Sequence, residues 1–303
     1  MGEIRIGING FGRIGRMILR EALKRDDIKV VGINDLLGID YIAYLLKYDT
    51  PHHQLKDEIY IDKDLLIISG NVIRVTSECN PADLRWDDIN AEFVIDATGR
   101  FLTRDLAQLH IDAGAQFVVM SAPSKDETPM FVCGVNLDSY AGERIVSNAS
   151  CTTNCLAPIT KVLNDEFGIQ EGLMTTIHPV TATQKTVDSF SKRDYRAGRA
   201  AHANIIPYTT GAAKSIGRII PSLKGKLTGI CFRIPTLDVS AIDLTVKLTK
   251  KVAMADVCCV LKNASETSFK DIIAYTEDLV VSSDFMGETR PCVFDAKASI
   301  ALN

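Results

Sequence analysis

Three glycines near the amino terminus constrain the fold of this 303-residue chain more than any other feature. They form the string Gly10-Phe11-Gly12-Arg13-Ile14-Gly15. An alternating apolar run at 3–8 precedes them, and apolar residues at helical spacing follow at 13–24. Glycines at this spacing allow a tight turn and close packing between a strand and a helix. The chain is therefore predicted to begin with the strand–turn–helix unit of a parallel α/β domain.

The first half of the chain repeats this alternation of strand and helix. Apolar runs at 30–33, 93–97 and 117–121 predict strands, and residues 103–113 have helical spacing. Short links between such elements favour a parallel sheet that helices cover on both faces. We therefore predict a doubly wound, Rossmann-type α/β domain over residues 1–150.

The second half of the chain has a different pattern. Residues 172–177 and 238–248 form longer runs in which the two sides of the strand differ in character. This pattern is typical of a mixed, largely antiparallel sheet with one face packed against helices. The chain is long enough for two domains, so we predict a second domain, of α+β class, over residues 151–303.

Asp35 indicates what the first domain binds. It stands 20 residues after Gly15 and follows the apolar run at 30–33. Backbone N–H groups at the start of the helix can bind a pyrophosphate, and a carboxylate at this point can bind both ribose hydroxyls and repel a 2′-phosphate. The pattern therefore predicts NAD, rather than NADP, as the cofactor. The alternative is a glycine-rich turn followed by an unrelated surface aspartate.

Cys151 is the candidate nucleophile. The string Ser150-Cys151-Thr152-Thr153-Asn154-Cys155 precedes a helical pattern that ends at Gly168, and the partial positive charge at a helix start stabilises a thiolate. Hydroxyl and amide neighbours favour an anion site over the alternative of a small buried hydrophobic residue. We interpret Cys155, one turn further on, as a packed and inert thiol. The spacing does not pair His178 with Cys151.

Composition argues against several other classes of protein. The formal net charge of −4 disfavours nucleic acid as the main partner. No apolar run approaches the ~20 residues that span a bilayer, and the amino terminus lacks the layout of a signal peptide. The eight cysteines lack zinc-site spacing and are typical of reduced thiols. We therefore predict no metal, no membrane association and a cytoplasmic location.

Six longer strings resemble the glyceraldehyde-3-phosphate dehydrogenase family. They are INGFGRIGR (8–16), SAPSKDETPMFVCGVN (121–136), SNASCTTNCLAP (147–158), TATQKTVD (181–188), NIIPYTTGAAK (204–214) and GKLTGICFRIPT (225–236). The likeness runs from the first residues to the last. It implies that residues 1–150 are an NAD-binding domain, that residues 151–303 are a catalytic domain, and that the chain forms a homotetramer.

The resemblance also assigns roles to particular residues, with Cys151 as the nucleophile and His178 as its general base. Together with the glycine motif it predicts a cofactor site of Asn9, Gly10, Phe11, Gly12, Arg13, Ile14, Gly15, Asp35, Thr98, Gly99 and Ser121. Ser150, Thr152, Thr210 and Gly211 match the site for inorganic phosphate. Thr181, Thr183 and Arg233 match the site for the phosphate of the substrate.

The implied reaction oxidises glyceraldehyde 3-phosphate with NAD and inorganic phosphate to 1,3-bisphosphoglycerate, through a thiohemiacetal and a thioester on Cys151. Two anion sites beside one thiol distinguish phosphorolysis from hydrolysis. Two alternatives stay open: a dehydrogenase for erythrose 4-phosphate, and an inactive homologue that acts as a binding protein.

Four single residues differ from the common family pattern: Val180, Phe190, Tyr208 and Cys79. The basic segment 190–199 is interpreted as a loop that reaches a neighbouring subunit beside the NAD pocket; a solvated loop and a nucleic-acid contact are the alternatives. The string at 298–303 is one that the family follows with a strand, an asparagine-bearing loop and a helix. We expect either a fragment of a longer chain or a protein of reduced stability and activity.

Overall fold

The computed structural model describes residues 2–192 and 194–301. This part of the chain forms two compact units, the first from Met1–Phe131 with Tyr140–Ala149 and the second from Val132–Ser139 with Ser150–Asn303. The functional division predicted at 150/151 stays a prediction. Arg193 of the basic segment and the last two residues of the carboxyl-terminal string lie outside the described residues.

The elements of the first unit in chain order are β1 (Ile4–Asn9), α1 (Arg13–Ala22), β2 (Ile28–Asn34), α2 (Ile39–Lys47), β3 (Tyr48–Asp49), β4 (His53–Gln54), β5 (Ile59–Asp62), β6 (Leu65–Ile68), β7 (Asn71–Thr76), β8 (Phe93–Asp96), α3 (Arg104–Asp112), β9 (Phe117–Met120) and β10 (Ile145–Ser147). Its main sheet has the strand order β10-β9-β8-β1-β2-β7-β6-β5. The strands from β10 to β7 in this order pair in parallel, whereas β6 and β5 add an antiparallel edge.

Hydrophobic cores cover both faces of this sheet. On one face Ile8 and Ile33 pack with Leu19 of α1 and Leu46 of α2. On the other face Trp86 packs with Val31 and Val94 in a separate cluster. The doubly wound, Rossmann-type fold predicted from the apolar runs is therefore confirmed.

The order of the strands fixes where this unit can bind a ligand. From β1 the chain proceeds to β2 on one side and later returns to β8 on the other side. Sheets of this kind bind ligands outside the carboxyl ends of the strands, at the point where the strand order reverses. The crevice is therefore at the ends of β1 and β8, where Asn9 and Asp96 are register partners.

The elements of the second unit are α4 (Cys151–Phe167), β11 (Ile169–Pro179), β12 (Ile206–Tyr208), α5 (Ala212–Ile219), β13 (Leu227–Ile234), β14 (Ala241–Leu248), α6 (Met254–Glu266), β15 (Ile273–Thr276) and β16 (Cys292–Asp295). They include a mixed sheet with the strand order β12-β13-β11-β14. β11 pairs with β13 in parallel, and the other two pairings are antiparallel. The predicted mixed sheet is confirmed.

The strand predicted at 238–248 begins three residues late. Val239 has a left-handed φ of 61°, which a β-branched residue adopts only in a turn, so β14 starts at Ala241. From there its side chains alternate between exposed and partly buried. In the described part of the chain, no helix is both long and apolar enough to cross a bilayer.

Candidate active site

Cys151 is the first residue of α4, and its side chain is exposed. Ser150 caps the helix, because its Oγ accepts a hydrogen bond from Thr153 N at 3.1 Å. Ala149 before it has a left-handed φ of 56°, a conformation that costs an L-residue ~1–2 kcal/mol. A strained turn therefore delivers the thiol to the positive end of a 17-residue helix.

His178 lies beside this thiol. It stands near the end of β11, and its Nε2 is 3.4 Å from Cys151 Sγ. Its Nδ1 is 2.8 Å from Pro179 O. Because a carbonyl oxygen only accepts, this contact favours the tautomer with the proton on Nδ1, whose Nε2 lone pair is directed at the thiol. The structure brings together the predicted nucleophile and the predicted base.

Arg233 provides a cation next to this pair. It is the register partner of His178 on β13, and its Nη1 donates to Pro179 O at 3.0 Å and contacts His178 Nδ1. Both nitrogens lie within hydrogen-bond distance of the same carbonyl oxygen, Pro179 O. The Tyr208 ring lies 5.5 Å from the guanidinium carbon, so this unusual aromatic residue packs against Arg233.

A second thiol on the same strand is chemically different from Cys151. Cys231 is two residues before Arg233 and therefore shares its face of β13. Burial raises the pKa of the Cys231 thiol, and the nearby Arg233 only partly offsets this effect. Cys231 is 3% exposed. A protonated, buried thiol is a poor nucleophile, so Cys231 is a weaker candidate for the nucleophile than the exposed Cys151.

The threonines predicted to bind the substrate phosphate lie in the loop after β11. Thr181 Oγ1 and Thr183 Oγ1 are 3.0 Å apart. Gln184, which the sequence patterns did not single out, is 8% exposed, and its Oε1 accepts from Thr181 N at 2.9 Å and from Thr181 Oγ1 at 3.0 Å. Gln184 therefore orders this loop.

The residues predicted to bind inorganic phosphate lie at the starts of two helices. Thr152 follows Cys151 in the first turn of α4 and is buried. Thr210 and Gly211 precede α5, where Thr210 Oγ1 accepts from Ala212 N at 3.2 Å. α5 packs against α4 and β13. Helix starts present N–H groups, which suit an anion.

The predicted cofactor residues of the first unit lie at the carboxyl edge of its sheet. Asn9 ends β1, Asp35 follows β2, Thr98 and Gly99 follow β8, and Ser121 follows β9. The Asp35 carboxylate accepts from Phe11 N at 2.6 Å and from Leu37 N at 3.1 Å. Each oxygen of a carboxylate has a second lone pair, which leaves acceptor capacity for a ribose hydroxyl.

The three glycines of the motif differ in what a side chain at each position would contact. A Cβ on Gly15 would lie 2.2 Å from Gly10 O, and one on Gly10, whose φ is 91°, would lie 2.8 Å from Thr98 N. A Cβ on Gly12 would meet nothing within 4 Å. Gly10 and Gly15 therefore satisfy the fold, whereas the open space above Gly12, at the start of α1, suits a pyrophosphate.

Two family models match this chain. The one described as the NAD binding domain of glyceraldehyde 3-phosphate dehydrogenase matches residues 4–104, and the one described as its C-terminal domain matches residues 150–303. The chain is 57% identical over 302 residues to glyceraldehyde-3-phosphate dehydrogenase of Bacteroides fragilis and 57% identical over 300 residues to glyceraldehyde-3-phosphate dehydrogenase A of Escherichia coli. The cytosolic glyceraldehyde-3-phosphate dehydrogenase of Leishmania mexicana is 55% identical over 300 residues. Each comparison covers 99% of this chain and 91% of the relative.

The chain belongs to the glyceraldehyde-3-phosphate dehydrogenase family. This membership confirms the resemblance predicted from the six strings. The match to the family's NAD binding domain confirms the predicted cofactor. The roles assigned to individual residues stay predictions.

The second cysteine of the family's cysteine string has a partner of its own. Cys155 is one turn along α4 from Cys151 and is partly buried. A hydrogen bond with the Cys292 thiol lowers the pKa of Cys155 more than burial raises it, and the same contact raises the pKa of Cys292. The interaction with Cys292 was not predicted, and the interpretation of Cys155 as a packed, inert thiol stays a prediction.

The glycine motif supplies a matched pair of variants. Gly15→Ala is expected to destabilise the protein by about 1–3 kcal/mol, because the new Cβ overlaps Gly10 O. Gly12→Ala is expected to cost less than about 1 kcal/mol and to weaken NAD binding about tenfold or more, because the methyl group occupies the approach to the helix start. Thermal unfolding without ligand and calorimetric titration with NAD measure the two effects. Equal stability losses, or NAD affinity unchanged by Gly12→Ala, would contradict this division of roles.

Proposed function

We propose that this chain is a phosphorylating, NAD-dependent aldehyde dehydrogenase that converts glyceraldehyde 3-phosphate, inorganic phosphate and NAD to 1,3-bisphosphoglycerate and NADH. The observation that carries the proposal is the 3.4 Å approach of Cys151 Sγ to His178 Nε2, with Arg233 alongside. The relatives from Bacteroides fragilis and Escherichia coli are named for this aldehyde. The proposal also assigns residues 1–150 to cofactor binding and residues 151–303 to catalysis.

Cys151 and His178 carry the first chemical step. Nε2 of His178 takes the thiol proton, and the sulfur attacks the aldehyde carbon to form a thiohemiacetal. Backbone N–H groups at the start of α4 stabilise the oxyanion that develops. His178 then returns its proton to that oxygen.

Oxidation and phosphorolysis follow on the same sulfur. NAD, when bound, supplies the hydride acceptor. As the carbon–hydrogen bond breaks, His178 accepts the hydroxyl proton, and a thioester to Cys151 is left. An oxygen of inorganic phosphate then attacks the thioester carbon, and the carbon–sulfur bond breaks. The acyl phosphate is released, and the sulfur of Cys151 is left as a thiolate.

Two anion sites support this sequence of steps. We assign the substrate phosphate to Thr181, Thr183 and Arg233, where two hydroxyls and a guanidinium suit a phosphate ester. We assign the attacking phosphate to Ser150, Thr152, Thr210 and Gly211 at the starts of α4 and α5. A site that holds phosphate near the thioester favours phosphorolysis over hydrolysis.

We further propose a cytoplasmic homotetramer. The loop between β11 and β12 exposes large apolar side chains, with Phe190 75%, Tyr195 92% and Ile205 70% accessible. Exposed apolar groups of this size support a contact with a neighbouring subunit. Light scattering of the purified protein tests the assembly. The eight free cysteines and the cytosolic name of the Leishmania mexicana relative support the location.

The deciding experiment follows NADH absorbance with purified protein. We expect NADH to form only when glyceraldehyde 3-phosphate, NAD and inorganic phosphate are all present. Faster turnover of erythrose 4-phosphate at equal concentration would favour the related dehydrogenase. An absence of turnover with either aldehyde, by protein that binds NAD, would favour the binding-protein alternative.

Asp35 is expected to determine the choice between NAD and NADP. Asp35→Asn removes the charge that repels a 2′-phosphate and weakens the acceptor for the ribose, so the preference for NAD over NADP should fall by about 10- to 100-fold. The ratio of kcat/KM for the two cofactors measures this preference. Asp26→Asn is the control, since Asp26 precedes the opposite, amino end of β2. An unchanged ratio in Asp35→Asn would show that this carboxylate does not contact the ribose.

A further inference from the structure

A buried chain of hydrogen bonds underlies the cofactor edge of the first unit. It joins Trp86, His110, Asp96, Asn9 and Asn34, which are between 0% and 4% exposed. Only Asn9 among them belongs to the predicted cofactor site. Buried polar groups of this kind are costly unless every one is paired, so the chain of bonds has a defined geometry.

Trp86 determines which ring nitrogen of His110 carries the proton. The indole Nε1 of Trp86 is 3.2 Å from His110 Nδ1, and an indole nitrogen can only donate. Nδ1 of His110 must therefore accept, and the ring proton is on Nε2. That proton points at Asp96 Oδ2, which is 3.2 Å away.

Asp96 collects donors on both carboxylate oxygens. Oδ2 accepts from His110 Nε2 and, at 2.8 Å, from Asn9 Nδ2. The two nitrogens lie 3.3 Å apart because they converge on one oxygen. Oδ1 accepts from Thr98 N at 3.1 Å and from Thr98 Oγ1 at 2.7 Å. Four donors satisfy a carboxylate that is 0% exposed, and the loss of any donor leaves buried negative charge less well paired.

This carboxylate lies at the point where the strand order reverses. Asn9 and Asp96 face each other across β1 and β8, so their side-chain bond closes the floor of the crevice. Thr98 packs closely against Gly10, since a Cβ on Gly10 would lie only 2.8 Å from Thr98 N. On the other side Asn9 Oδ1 accepts from Asn34 Nδ2 at 2.8 Å, and Gly10 N donates to Asn34 O at 2.8 Å. The loops after β1, β2 and β8 are thereby tied together.

We propose that Asp96, His110 and Trp86 are positioning residues of the NAD site, which act through Asn9 and Thr98 without contact with the cofactor. Trp86 sets the His110 tautomer, His110 and Asn9 orient the Asp96 carboxylate, and Asp96 holds Thr98 against Gly10. The inference rests on the proposed binding of NAD at this edge. It adds three residues, at 86, 96 and 110, that the cofactor motif does not contain.

Two variants of His110 separate the effect of its hydrogen bond to Asp96 from the effect of the space that its side chain fills. In His110→Gln the amide nitrogen can still donate to Asp96, whereas His110→Leu fills similar space without a donor. We expect the Kd for NAD to rise about tenfold or more in His110→Leu and no more than about threefold in His110→Gln. KM for the aldehyde should stay within about twofold in both, because the second unit carries the residues assigned to that substrate.

If His110→Leu does not fold, Trp86→Phe tests the positioning role through the same quantity, the Kd for NAD. It removes the indole N–H and keeps an aromatic ring, so we expect the Kd for NAD to rise about three- to tenfold. Trp86 is the one tryptophan in the sequence, so the fluorescence of the His110 variants on addition of NAD reports directly on this site. Calorimetry measures the Kd in every variant.

The outcomes distinguish this inference from the proposed function. If wild-type protein binds NAD and folded His110→Leu or Trp86→Phe binds it equally well, the positioning role is wrong and the proposed function stands. A fall in melting temperature with unchanged Kd would likewise show that these residues stabilise the fold without positioning the NAD site. If wild-type protein does not bind NAD, the cofactor assignment is wrong, and the inference fails with it.

Discussion

Cys151→Ser is expected to reduce NADH formation by about four orders of magnitude or more while the protein still folds and binds NAD. The exchange keeps the shape of the side chain and removes the sulfur that forms the thiohemiacetal and the thioester. A hydroxyl at this position is a far weaker nucleophile than a thiolate. The Kd for NAD should change by less than about twofold, since the residues assigned to the cofactor belong to the first unit.

The measurements are initial rates of NADH formation and calorimetric titration with NAD. Cys259→Ser is the matched control, because Cys259 is also exposed but lies on α6, and it should leave both quantities unchanged. In wild-type protein, brief treatment with iodoacetamide should label Cys151 before the other cysteines. Cys151→Ser that keeps more than a few per cent of the activity would place the nucleophile elsewhere.

His178→Asn is expected to lower kcat by about 10²- to 10⁴-fold, the usual contribution of a general base. The asparagine amide can take the place of Nδ1 and donate to Pro179 O, so the backbone contact is kept. The atom that faces the thiol, Nε2, has no counterpart in asparagine. Alkylation of Cys151 should also become slower, because the sulfur loses the group that takes its proton.

His53→Asn serves as the control for this variant. His53 is exposed and has a left-handed φ of 62°, a conformation that asparagine tolerates. It should leave kcat and the alkylation rate unchanged. A His178→Asn enzyme within about tenfold of wild type would show that another group takes the proton.

The fold of the first unit could be predicted largely from its strands. β1, β2, β8 and β9 are apolar runs buried in the sheet, and burial on both faces makes such runs conspicuous. No strand was predicted for the antiparallel edge of β5 and β6. β5 is mostly exposed, so its sequence is under weaker pressure to be apolar.

The candidate site could be predicted only in part. Helix-start chemistry made Cys151 the candidate nucleophile, since the neighbours that favour this role are local in the sequence. His178 is 27 residues after Cys151, and its approach to the thiol depends on how α4 packs against β11. Only the family resemblance suggested this approach. The network of Asp96, His110 and Trp86 carried no local signal, because each residue is unremarkable until the fold brings them together.

The contrast between Gly12 and Gly15 bears on how the glycine motif changes over evolution. Gly15 has no room for a side chain in the folded protein itself, whereas Gly12 has room for one. On the proposed assignment, Gly12 stays small for the bound dinucleotide. A descendant of this chain that stopped using dinucleotides could replace Gly12 freely and would still need Gly10 and Gly15. The middle glycine is therefore the position at which a lapsed cofactor site would first become visible in a sequence.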